Sequence, residues 1–203
     1  MDILTLASAT GHVSALAPSA ARATSPTLWY ITRATAVASY ITLSLSVALG
    51  VIQSIARTSR ERLPWVVDEL HQVSSTLTGV LVLAHLTALY FDPFLPFSLR
   101  NLLVPVNEPY KPLAVTLGVF ALYCMASLLL SSWLRRRVSY GFWRGLHYFS
   151  FIAFALVTAH GYLAGSDTQE PWMLGLYVGA SGAVLFLLLM RLFTTPHSEA
   201  KAE

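Results

Sequence analysis

The sequence predicts an all-α integral membrane protein: a bundle of five transmembrane helices, with the N-terminus outside and the C-terminus cytoplasmic. Three observations carry this. Hydrophobic residues make up 55% of the 203 positions and charged residues only 11%, with a mean hydropathy of +0.60, more apolar than a soluble core of this size requires. Five apolar runs reach the roughly 20 residues that a helix needs to cross about 30 Å of hydrocarbon. The runs are rich in Leu, Ala and Val and lack the alternation of an outer-membrane strand. Helices, which satisfy their own backbone groups, are therefore the structure that lipid allows.

In chain order, residues 1–28 lack the basic and continuous apolar regions of a cleavable signal and read as an outer tail. The apolar runs cover about 29–53, 68–91, 112–134, 143–165 and 171–193, giving one transmembrane domain over 29–193. All five tryptophans (Trp29, Trp65, Trp133, Trp143, Trp172) fall at or beside the ends of these runs, where an amphipathic indole settles at the membrane interface. The connection "YFDPFLPFSLRNLLVPVNEPYKP" carries five prolines and is long enough to cover an outer site or meet a partner. "GSDTQEP" at 165–171 is a short turn. Cys124, the lone cysteine, lies mid-membrane in the third run and reads as a small packing residue. Residues 194–203 form a polar cytoplasmic tail.

Orientation follows from charge. Arg57, Arg60, Arg62, Arg135, Arg136, Arg137, Arg144, Arg191 and Lys201 lie on one side, and Arg22, Arg33, Arg100 and Lys111 on the other. The positive-inside rule puts the richer side in the cytoplasm, which predicts a multi-pass protein of the cytoplasmic membrane. The sequence pI near 9.2 then reflects topology, and no nucleic-acid surface is implied. The 135–137 run anchors that topology and suits anionic head groups.

Four of the six histidines lie inside the runs. His71 and His85 are on the second ("DELHQVSSTLTGVLVLAHLTALYFD"), His147 and His160 on the fourth ("WRGLHYFSFIAFALVTAHGYL"), while His12 and His197 are in the tails. The second and fourth helices run in the same direction, so His71 is level with His147, and His85 with His160. At 1.5 Å per residue the two levels are roughly 20 Å apart. Two facing imidazoles inside lipid suit haem iron, which takes one at each axial position while the porphyrin supplies four ligands and an apolar face. With both axial positions filled, such iron suits electron transfer, and two haems make a wire across the bilayer. Zinc is disfavoured, because each level offers two histidines and only Asp68 and Glu69 are nearby. On an ideal helix His71 and His85 are within about 40° of one face, but His147 and His160 are roughly 140° apart. Either the fourth helix is irregular or its two haems approach from different sides.

These histidine spacings of 14 and 13, with "SSWLRRRVSYGFWRGLHYFSF" at 131–151 and "WYITRATAVASY" at 29–40, resemble the ferric reductase-like transmembrane domain family. That family includes the membrane parts of ferric reductases and NADPH oxidases and the haem subunit of a bacterial methionine sulfoxide reductase system. The resemblance covers about residues 29–193. It implies transmembrane electron transfer through two haem b groups, the inner one ligated by His71 and His147 and the outer one by His85 and His160. Full-length reductases of the family add a flavin and nicotinamide module. This chain has no glycine-rich nucleotide fingerprint, so the expected role is the haem-bearing subunit of an oxidoreductase, with a flavoprotein or quinol as donor and an outer protein or small molecule as acceptor. Arg144 and Arg33 are candidates for the propionates of the inner and outer haem, against simple snorkelling to the interface. Tyr148, Phe149, Phe151 and Phe154 are candidates to line the haem edges, against ordinary packing.

Two other functions compete. One is a quinol-linked cytochrome b of the respiratory type, which also stacks two haems between two helices. The other is a non-catalytic scaffold subunit of a larger membrane complex, with structural histidines and no haem. A transporter is weaker, since no charged pathway or inverted repeat is seen.

Overall fold

A computed structural model describes residues 26–93, 97–105 and 110–194. Most of the two tails, with His12 and His197, lies outside these residues. The described residues contain no strand. They form α1 (Thr27–Ser59), α2 (Trp65–Phe91), α3 (Leu99–Leu103), α4 (Pro112–Trp133), α5 (Tyr140–His147), α6 (Phe149–Ala164) and α7 (Pro171–Phe193). Five spans are long and apolar enough to cross a membrane: α1, α2, α4, α7 and the stretch Tyr140–Ala164 that joins α5 and α6. The all-α class and the five spans read from the sequence are the ones observed among the described residues.

Proline and local caps mark the boundaries. Pro112 and Pro171 occupy the first turns of α4 and α7, where the missing N–H has no helical partner to lose. Pro64 precedes α2 with extended backbone. At the far end of α1, Arg60 takes a left-handed conformation (φ 58°), and its N–H and that of Glu61 both reach the Ala56 carbonyl. With 33 residues α1 is about 50 Å long, so it outruns the hydrocarbon and carries Arg57 beyond it. The five-residue α3 lies in the proline-rich connection, started by a capping box between Ser98 and Asn101.

The fourth span is irregular. α5 ends at His147 and α6 begins at Phe149, with three-residue hydrogen bonds on either side: Tyr148 N–H to Gly145 O at 3.3 Å and Phe151 N–H to Tyr148 O at 3.2 Å. A residue wound this tightly turns by about 120° rather than 100°. Each one narrows the roughly 140° that an ideal helix puts between His147 and His160.

Two helix pairs dominate the packing, α1 with α2 and α4 with α6, and α7 closes on α1. No packed seam of comparable size joins α2 to α5 or α6. The α1–α2 seam is glued by hydroxyls: Ser46 Oγ and Ser75 Oγ are 2.6 Å apart, and Thr78 Oγ1 donates to Thr42 Oγ1 at 2.8 Å. A second cluster, of Tyr40, Leu43, Val47, Phe154, Met173, Tyr177 and Val184, binds α1, α6 and α7. Tyr40 stacks on Phe154 and meets Tyr177 edge-on at 5.1 Å. Arg191 Nε donates to Ser54 Oγ at 2.9 Å, tying α7 to α1. Outward positions such as Leu83, Val178, Phe186 and Leu192 are apolar and exposed, the surface that acyl chains require.

Candidate functional site

The four intramembrane histidines lie on three helical elements, and their ring nitrogens make unequal contacts. His71 Nδ1 donates to the Ser46 carbonyl of α1 at 2.9 Å. His85 Nδ1 donates to the Thr32 carbonyl, also on α1, at 3.0 Å. His160 Nδ1 donates to the Ala114 carbonyl of α4 at 2.7 Å. A carbonyl only accepts, so each contact fixes the proton on Nδ1 and leaves Nε2 of the neutral ring with a free lone pair. This is how a metal-ligating imidazole is oriented from behind.

Two glycines let the rings come so close. A Cβ on Gly50 of α1 would lie 3.3 Å from His71 Cε1. On Gly118 of α4 it would lie 2.7 Å from His160 Nδ1 and 2.8 Å from its Cε1. At each level, therefore, one histidine rests on a glycine and is bonded to a carbonyl of that same neighbouring helix. Ser46 adds a longer contact, its Oγ 3.4 Å from His71 Nδ1.

His147 differs. It is the last residue of α5, and its Nδ1 is buried with no hydrogen-bond partner among the described residues. Its ring lies 4.8 Å from that of Trp143 in a stack, and the Arg135 guanidinium covers the Trp143 ring at 4.6 Å. Trp143 Nε1 is likewise buried and unpartnered. An unmade hydrogen bond of this kind costs about 1–3 kcal/mol.

His71 and His147 come together across the bundle, with ring centroids 6.1 Å apart and planes at 65°. A metal bonded at about 2 Å to one nitrogen of each imidazole would hold the centroids roughly 6 Å apart. Among the described residues no three His, Cys, Asp or Glu side chains cluster to hold a metal. Iron at either level would need its remaining ligands from a macrocycle. The donor set and, for His71 and His147, the ring spacing fit haem.

The two arginines chosen from the sequence are placed differently. Arg33 follows Thr32, the residue that anchors His85, but its guanidinium is held by Asp167: Nε lies 2.9 Å from Oδ2, and Nη2 meets the same oxygen. It also stacks 4.0 Å over Trp29. Arg144 is exposed and donates to the Tyr140 hydroxyl at 3.2 Å. Of the aromatic residues proposed as edge lining, Phe154 belongs to the core cluster and Phe151 packs against it, while Tyr148 and Phe149 are exposed.

Gly50, Gly118, Trp143 and Asp167 were not selected from the sequence. A mid-span glycine is a signal for close helix approach, and an acid just beyond an apolar run signals a partner for a basic residue near it. Asp167→Asn is expected to lower stability by about 1 kcal/mol, the size of a half-exposed ion pair. Thermal unfolding in detergent checks this, with Asp167→Glu close to the parent.

A family model described as ferric reductase-like transmembrane component matches residues 35–158, more than half of the chain. The matched stretch holds His71, His85 and His147 and stops two residues before His160. No curated protein and no solved structure matches the chain.

Proposed function

The chain belongs to the ferric reductase-like transmembrane component family, and from that premise we propose that it carries electrons across the cytoplasmic membrane through two bis-histidine haem b groups. His71 and His147 hold the inner one, and His85 and His160 the outer one. The observation that carries this reading is the shared orientation of His71, His85 and His160: Nδ1 donates to a neighbouring carbonyl, and Nε2 is left for a metal.

Haem supplies a reversible one-electron couple when bound. The chain's own contribution would be to offer four imidazoles to the groups and to hold three of the rings still. The carbonyls of Ser46, Thr32 and Ala114 fix ring rotation and tautomer, and the glycine seats set the depth of two rings. Lipid-facing Leu, Val and Phe side chains keep water from the levels. The arginine-rich ends support a first level on the cytoplasmic side, where a flavoprotein or quinol would give electrons that leave for an outer acceptor. Arg33 stays a candidate for an outer propionate only if it shares its guanidinium with Asp167, and Arg144 can serve an inner propionate from its exposed position.

The test is purification in mild detergent, oxidised and dithionite-reduced spectra, and pyridine haemochromogen counting. Two low-spin b-type haems per chain are expected. A haem-free protein from haem-replete cells would overturn the assignment and favour the scaffold reading.

A further inference from the structure

Three of the four histidines are anchored, and one is not. We propose that His147 is the displaceable ligand of its pair, so that the inner site admits a small neutral axial ligand, carbon monoxide on the reduced protein, while the outer site stays closed. This rests on the dihaem reading above.

Two independent features single out His147. The first is its hydrogen bonding. An Nδ1–H bonded to a carbonyl raises the basicity of the ligating nitrogen and spares the ring the loss of rotational freedom on binding. Losing such a partner weakens metal affinity about 10- to 100-fold. His71, His85 and His160 have that partner at 2.9, 3.0 and 2.7 Å, and His147 has no protein partner among the described residues.

The second is the backbone. His71 and His85 sit within α2 and His160 within α6, with helix on both sides. His147 ends α5, and the chain turns tightly through Tyr148 into α6. A small change at this junction swings the ring without breaking the packing of α6 on α4. Trp143, stacked 4.8 Å away, offers the withdrawn ring an aromatic bed. In the exchange, the bond from iron to His147 Nε2 breaks and one from iron to the carbon of carbon monoxide forms. The imidazole leaves with its electron pair, and no electron or proton is transferred.

The experiment uses detergent-solubilised holoprotein reduced with dithionite and saturated with carbon monoxide, with haem counted in the same sample. The expected result is a carbon monoxide difference spectrum from about half the haem. In the double variant His85→Ala/His160→Ala, nearly all the remaining haem should react. In His71→Ala/His147→Ala, nearly none should. If the double variants do not fold, Trp143→Ala in the otherwise intact chain decides, because Trp143 stacks on His147: carbon monoxide affinity should change several-fold. Two haems that both stay inert, two that both react, or an affinity indifferent to Trp143→Ala would each overturn the proposal. A wild-type protein without haem would instead overturn the dihaem reading, and this inference with it.

Discussion

Gly118→Ala is expected to empty the outer site, so that haem per chain falls from two to one. The added methyl would lie 2.7 Å from His160 Nδ1, closer than such atoms approach one another. The ring has no easy retreat, because the same nitrogen is bonded at 2.7 Å to Ala114, one turn earlier on the same helix. To relieve the overlap His160 must break that bond and carry Nε2 away from the iron. Alanine is otherwise the better helix former by about 1 kcal/mol, so a loss of haem would not come from a weakened helix. Gly50→Ala is the matched control: its methyl meets His71 Cε1 at 3.3 Å, which a small shift relieves, and both haems should remain. Haemochromogen counts on the two variants make the comparison, and equal haem loss in both would refute the seat at Gly118.

His85→Ala and His160→Ala should give one and the same product. On the dihaem reading each removes a ligand of the same centre, so in each the six-coordinate low-spin signal should fall by about half and one midpoint potential should be lost or shifted in a redox titration. His71→Ala should remove the other potential. If the histidines only bridge helices, His85→Ala would free the Thr32 carbonyl and His160→Ala the Ala114 carbonyl. The result would be two unrelated packing defects with no visible spectrum to change. The paired outcome thus separates a shared cofactor from structural histidines more sharply than either variant alone.

The spans were legible because lipid demands long apolar runs, and the tryptophans at their ends marked the same limits. The two levels followed from residue spacing, since the rise per residue is nearly constant along a helix. The break at Tyr148 was not legible as a position. The 140° mismatch between His147 and His160 signalled an irregularity, but no proline marks it, and its place depends on how α5 and α6 meet their neighbours. The carbonyls of Ser46, Thr32 and Ala114 were invisible for a different reason: every residue has one, and only the approach of two helices selects which meets an imidazole. The partner of Arg33, a propionate candidate from the sequence, was not legible either, because Asp167 lies 134 residues away in a short turn.

The pairing of α1 with α2 and of α4 with α6 also bears on how the protein is made. Each pair carries histidines already bonded to its own carbonyls: His71 and His85 to α1, and His160 to α4. The hydrogen bonds that orient His71 and His85 thus need only the first pair, although α1 also packs on α6 and α7. On the dihaem reading, cofactor capture ties together histidines that each pair has already positioned, and haem supply bears on how much mature protein accumulates. On that reading, cells starved of the cofactor should hold a membrane-inserted form that is more protease-sensitive than the mature one.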